Sequence, residues 1–201
     1  KKPIILSTGM NSINSIKKSV EIIKKNKLPL ALLHCTNIYP TPANLVRLDC
    51  IRQLKQAYPW CVVGISDHTV TNHTSLAAVG LGARIIEKHF VDSKKVSGPD
   101  VSCSMDPNDL KDMINGSKII FDARGGIKKP LEEEKVTINF AFASVCASKE
   151  IKAGQILTRK NICLKRPGNG YYKIKDFTKL LGKKSKNSIK KNTQIKKKDL
   201  A

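Results

Sequence analysis

One pattern restricts the fold of this chain more than any other. A short apolar run, a polar turn and a segment of helical periodicity follow one another four times before residue 124. Pro3-Ile4-Ile5-Leu6-Ser7-Thr8 leads into apolar positions Ile13, Ile16, Val20 and Ile23, spaced as on one helix face, with Asn11 or Ser12 as the start signal. Leu30-Ala31-Leu32-Leu33-His34-Cys35 is followed by T-N-I-Y-P-T-P and a helix expected from about Asn44 to Tyr58. Cys61 to Ile65 precedes a helix expected over Thr71–Leu81. Ala83 to Ile86 precedes a long loop carrying Ser97-Gly98-Pro99-Asp100. A helix then starts near Asp106-Pro107, with proline in its first turn, and runs to about Ala123. Strands that are apolar nearly throughout and separated by helices predict a parallel sheet covered by helices.

Two α/β architectures satisfy that pattern, an open doubly wound sheet and a (β/α)₈ barrel. No G-x-G-x-x-G follows the first strand, which counts against dinucleotide binding. Polar residues cluster after every strand instead, as on the carboxyl-end face of a barrel. Four units make half of one. The chain opens mid-pattern on K-K-P-I-I-L-S-T, so the expectation is a portion of a longer polypeptide.

Residues 124–138 (R-G-G-I-K-K-P-L-E-E-E-K-V-T-I) read as a linker between a first domain, 1–123, and a second, 139–201. The second has short strand-like pieces: Ala141 to Val145, Gln155-Ile156-Leu157 and Ile162-Cys163-Leu164. It also repeats itself. I151-K-A-G-Q-I-L-T-R-K-N-I162 aligns with I189-K-K-N-T-Q-I-K-K-K-D-L200 at a period of 38, with Gly154 and Asn192 at equivalent turns that tolerate a left-handed backbone. Two such elements related by a pseudo-twofold make a small domain, one expected to lean on the barrel or on another chain.

Composition narrows the function classes. The formal net charge is +21, concentrated late: residues 151–201 hold 16 Lys/Arg against two acids. Only two of the 16 are arginines and aromatic residues are sparse, so no base-stacking platform stands out, and no specific nucleic-acid role is expected. The six cysteines form no C-x-x-C pair, which points to a reducing, cytoplasmic setting and no structural zinc. No apolar run is long enough to span a bilayer, so no membrane partner is expected.

The chemistry-bearing residues sit at strand ends. Along the third strand Gly64, Ser66 and His68 share one face, with Ile65 and Asp67 on the other; along the fourth, Glu87 and His89 share a face. On adjacent parallel strands those groups reach one rim, where two imidazoles can share a divalent cation and leave positions open for water or substrate oxygen. With two nitrogens and no thiolate, a Mn²⁺-like ion suits better than Zn²⁺. The alternative is that each histidine caps its own strand by a hydrogen bond, and the pattern alone leaves both open. Asn37 and Tyr39 share parity with Cys35 and can face the same rim as orienting groups. Asp100 is either a hydroxyl acceptor or a turn residue. His34 and His73 read as structural.

Five blocks taken together, L-L-H-C-T-N-I-Y-P-T-P (32–42), G-I-S-D-H-T (64–69), L-G-A-R-I-I-E-K-H-F (81–90), G-P-D (98–100) and K-R-P-G-N-G (165–170), resemble the sialic acid synthase family in order and spacing over essentially the whole chain. The resemblance implies the second half of a (β/α)₈ TIM barrel, from its fifth strand, followed by a small antifreeze-like (SAF, β-clip) domain, within a domain-swapped homodimer. It implies condensation of phosphoenolpyruvate with N-acetylmannosamine to give N-acetylneuraminate, with release of phosphate. A related legionaminic or other nonulosonic acid synthase is the alternative. By the same resemblance His68 and His89 are ligands of a divalent metal, Mn²⁺ with Mg²⁺ or Co²⁺ as alternatives, and Asn37 and Ser66 lie near phosphoenolpyruvate. Tyr39, Asp100 and Phe140 lie on the sugar side, and Arg166 reaches a partner subunit's site. The family's amino-terminal strands supply lysines for phosphate and carboxylate, which these residues lack, so the chain alone is expected to be inactive. A reading of another class is a non-catalytic fragment that binds a sugar or a partner.

Overall fold

Four parallel strands, β1 (Ile4–Ser7), β2 (Leu30–Cys35), β3 (Val62–Asp67) and β4 (Ile86–Lys88), lie side by side in chain order in a computed structural model that describes residues 2–200. Each is followed by a helix: α1 (Ile13–Lys25), α2 (Asp49–Ala57), α3 (His73–Gly80) and α4 (Pro107–Ala123). The chain divides into two units, the first ending at Gly126 and the second starting at Ile127.

Alternation along the strands sorts the first unit into two faces. Leu30, Leu32, Val63 and Ile65 pack with Ile16 and Val20 of α1, Ile51 and Leu54 of α2 and Ala78 of α3 into one buried cluster. The other face carries Ile5, which is 60% exposed, then Leu33, Gly64 and the strand-end polar groups. Gly64 is glycine for a steric reason: a Cβ there would stand 2.4 Å from the Ile85 carbonyl oxygen and 2.6 Å from Leu33.

Helix starts follow their sequence signals closely. Ser12 caps α1 by accepting from the Ser15 amide, and Asp106 caps α4 by accepting from the amides of Asn108 and Asp109. Several bounds differ from expectation, among them that of the third strand, which is Val62–Asp67 instead of Cys61 to Ile65. The helix expected from Asn44 starts at Asp49, because Arg47 holds a left-handed φ of 54° that an α-helix cannot contain; Ala43–Leu45 is a separate 3₁₀ turn. α3 is shorter than expected at both ends, His73 to Gly80. The fourth strand is Ile86–Lys88 instead of Ala83 to Ile86. Its backbone already bonds β3 at Arg84 (N to Val63 O, 2.8 Å), but the regular register runs on through Glu87 and Lys88, since Lys88 finds a buried carboxylate.

In the second unit Glu132–Glu134 forms a 3₁₀ turn and α5 spans Lys135–Ala141, so residues 141–143 are not strand. β5 (Ser144–Ala147) pairs antiparallel with β6 (Ile162–Lys165), Ile156 makes a single bridge to Lys184, and α6 is Phe177–Leu180. The sequence repeat is a structural one. Ile151 and Ile189 exchange backbone hydrogen bonds of 2.9 and 2.7 Å, the bond from Gly154 N to Ser185 O is mirrored by Asn192 N to Ala147 O, and that from Leu157 N to Lys183 O by Ile195 N to Val145 O. Gly154 and Asn192 both take positive φ, 82° and 64°. The equivalent positions Ile151 and Ile189, and Leu157 and Ile195, fill the core of the unit.

Candidate functional site

The carboxyl ends of β2, β3 and β4 share one rim, where the register sets Cys35 opposite Ser66 and Ser66 opposite Glu87. Continuing the alternation past the strand ends brings three rings together. The imidazoles of His68 and His89 have centroids 5.3 Å apart, and the Tyr39 ring lies 4.2 Å from the first and 5.8 Å from the second. The Tyr39 loop is tied down by a 2.9 Å bond from Thr41 N to the His68 carbonyl. Asn37 stands beside them, accepting from the Cys35 thiol at 3.3 Å. Ser66 is buried beneath, 5% exposed. Asp100, in a left-handed conformation after the loop, brings Oδ2 to 4.0 Å from His89 Nδ1; its own carbonyl is held by Ser104 Oγ at 2.8 Å. Phe140 and Arg166 belong to the second unit, where both are exposed. His34 turns to the helix side and donates to the Val46 carbonyl at 2.6 Å, and His73 is bonded to Thr71 at the start of α3.

The donor set suits a metal ion. His68 Nδ1 lies 3.3 Å from the Thr36 carbonyl oxygen, which can only accept, and 3.9 Å from Cys35 Sγ, whose hydrogen is given to Asn37; this arrangement favours the proton on Nδ1 and leaves the lone pair on Nε2. Burial, against the pull of the Thr36 carbonyl and with the neighbouring His89 adding to it, lowers the His68 pKa, a shift toward the neutral ring that a ligand needs. Two imidazoles bound to one ion at about 2.1 Å have centroids roughly 5 Å apart, in accord with the observed 5.3 Å. Among the described residues no three His, Cys, Asp or Glu side chains converge as a ligand set. Other positions on such an ion are left to water or substrate. Burial above all, with Asp100 nearby, raises the Tyr39 phenol, so it stays a neutral donor.

Sequence reasoning missed two supporting features. Gly9, just past β1, gives Asn37 its space: a Cβ there would fall 1.7 Å from Asn37 Oδ1. No local signal marks this, since the contact spans 28 residues of chain. The second is an ion pair behind the rim. Asp67 and Lys88, paired in register, are each 1% exposed at the side chain with Oδ2 and Nζ 3.5 Å apart. Asp67 also accepts from Ser75 Oγ (2.6 Å), Thr74 Oγ1 (2.7 Å) and Thr69 N (2.9 Å), and Lys88 Nζ donates to Thr69 O at 2.5 Å. Burial pushes the Asp67 carboxyl up, but these donors and the ammonium outweigh it and hold the pKa below its ordinary value. The parity that put Asp67 opposite Ser66 and His68 was the available signal, because a carboxylate on the helix side of a sheet needs partners.

This geometry can be set beside known proteins. A profile of the NeuB family matches residues 1–129, and one of the SAF domain matches residues 142–201. The N,N'-diacetyllegionaminic acid synthase of Campylobacter jejuni is 41% identical over 96% of this chain, and a pseudaminic acid synthase of the same species is 39% identical over 94%. The chain spans 59% and 55% of the length of those two relatives. A crystal structure of N-acetylneuraminic acid (sialic acid) synthetase from Leptospira borgpetersenii superposes with a TM-score of 0.63 at 34% identity, covering 68% of this chain and 48% of that one. Sheet, rim and sequence agree: this chain belongs to the NeuB family and carries an SAF domain.

Proposed function

We propose that the chain is the later part of a sugar-acid synthase, carrying strands five to eight of a (β/α)₈ barrel and an SAF domain, that condenses phosphoenolpyruvate with N-acetylmannosamine and releases phosphate. C3 of the enol attacks the aldehyde carbon of the open-chain sugar, water adds at C2, and phosphate leaves with C–O cleavage. The observation that carries this reading is the convergence of His68, His89 and Tyr39 at the carboxyl ends of parallel strands, the face on which barrel enzymes do their chemistry. Bound by His68 and His89, a divalent ion such as Mn²⁺ would polarise the aldehyde oxygen and help orient the water. His68 offers Nε2 while the Thr36 carbonyl keeps its proton on Nδ1. Tyr39 walls the site and donates to a substrate oxygen. Asp100, beside His89, accepts a sugar hydroxyl, and Asn37 and Ser66 orient phosphoenolpyruvate. The exposure of Arg166 supports a role in a homodimer, where it would contact the acetamido group in the partner's site.

A second reading, with a 2,4-diacetamido sugar as acceptor, is favoured by the 41% identity to the legionaminic acid synthase. We place the protein in the cytoplasm; its six free thiols support that. No helix among the described residues is long and apolar enough to cross a membrane. The test uses the protein expressed from its complete gene, with Mn²⁺ binding followed by electron paramagnetic resonance. His68→Ala and His89→Ala are each expected to weaken it by tenfold or more. Undiminished binding in both would overturn the metal assignment, and sugar binding that survives both without turnover in the unsubstituted protein would favour a non-catalytic role. Phosphate release with each acceptor sugar separates the two substrate readings.

A further inference from the structure

The Asp67–Lys88 pair is badly suited to serving stability alone. Taking two charges out of water costs several kcal/mol per ion, and a neutral pair of similar volume often does as well. Yet this pair is enclosed, and its placement relative to the rim is specific. Lys88 Nζ reaches both Asp67 Oδ2, the residue before His68, and Thr69 O, the residue after it. Lys88 is itself the residue before His89. One ammonium therefore ties the residues on both sides of one imidazole, through the Asp67 carboxylate and the Thr69 carbonyl, to the strand that carries the other. Asp67 fixes the opposite side of the same knot, binding the Thr69 amide and the two hydroxyls at the start of α3.

We infer that Lys88 and Asp67 are positioning residues that set the separation and orientation of the His68 and His89 rings. They act from behind the sheet and touch no substrate. The inference rests on the reading of those rings as a metal site, but it makes a claim about ring geometry that can be read without metal. Outer partners of this kind typically change metal affinity by about 10–100-fold.

The test uses the protein expressed from its complete gene, labelled with ¹⁵N-histidine, and two variants. Lys88→Met leaves Asp67 buried without its cation and is expected to lower the melting temperature sharply. The double variant Asp67→Asn/Lys88→Met removes both charges and is expected to regain most of that loss. In metal-free nuclear magnetic resonance spectra, His68 of the unsubstituted protein should be a single Nδ1–H tautomer. In the double variant the His68 and His89 signals should shift, with His68 becoming a mixture of tautomers, and Mn²⁺ affinity should stay at least tenfold down although the fold has recovered. Unchanged imidazole signals in the double variant would overturn the inference, as would Mn²⁺ affinity within twofold of the unsubstituted protein's. Failure of both variants to fold would do the same, assigning the pair to stability. If the unsubstituted protein binds no Mn²⁺ while the double variant shows the tautomer change, the metal reading falls and the positioning role stands.

Discussion

His34 shows how one buried ring sets a pH limit on the first unit. It lies in the middle of the sheet on the helix side, 5% exposed, and its Nε2–H is committed to the Val46 carbonyl. Burial lowers its pKa from the ordinary 6.5, the bond to Val46 opposes that, and the charge of Arg47 adds to the lowering. The folded protein therefore binds this proton less readily than the unfolded chain does. Stability is full above the unfolded value and is lost as pH falls from about 6.5 through the lower folded value. The expected outcome is a urea midpoint that drops between pH 7.5 and pH 5. His34→Gln, which keeps a donor for Val46 but cannot titrate, should make that drop smaller. His68, also lowered by burial, should supply part of the remaining slope. A midpoint equally pH-sensitive with and without His34 would show that this ring is not a source.

Among the elements, α4 is the one whose start is written most plainly. Asp106 accepts two amide bonds of 2.9 Å, Asp109 Oδ2 accepts one from the Asp106 amide, and Pro107 supplies a first-turn φ without a wasted donor. Asp106→Ala should cost about 1 kcal/mol, and so lower the melting temperature by roughly 2–4 °C for a chain of this size. Asp106→Asn should cost much less, and equal losses in the two variants would argue against capping as the cause. The same reasoning explains what could be read ahead of the structure. Caps are local, so Ser12 and Asp106 announced α1 and α4. The period-two alternation is also local, so the shared rim of Ser66, His68, Glu87 and His89 followed from the sequence. What escaped depends on distant partners. Nothing beside Arg47 marks its left-handed turn, and the hydropathy of Ile85-Ile86-Glu87-Lys88 ends the strand too early unless Asp67, 21 residues back, is known to be waiting for Lys88. Gly9 is legible only once Asn37 is seen against it.

At the scale of the whole molecule, the first unit raises a problem of closure. Parallel sheets are stable with both faces covered, yet here the helices pack on one face, and the other exposes Ile5 at 60% and Val62 at 44%. β1 and β4 are both edge strands, and unpaired parallel edges invite association with other chains. The charge distribution adds a second difficulty. Phosphoenolpyruvate is a multiply charged anion, whereas the inward-facing strand positions, from Ile5 and Ser7 through Leu33, Cys35, Gly64, Ser66 and Glu87, carry no lysine or arginine among the described residues. Under the proposed reading the rings of the rim would hold a cation and a sugar, but the phosphate of phosphoenolpyruvate would find no cationic partner at the inward-facing positions of these strands. A polypeptide limited to residues 1–201 should therefore release no phosphate from phosphoenolpyruvate and N-acetylmannosamine above background, and should elute from a sizing column largely as aggregate. Co-expression with the part of the Campylobacter jejuni legionaminic acid synthase that this chain does not match should reduce the aggregation. If the strands complement, phosphate release should return and should be lost again in His68→Ala. Robust turnover by residues 1–201 alone would mean that the second unit, or a second copy, supplies the missing positive charge, and the proposed division of labour between barrel halves would have to be abandoned.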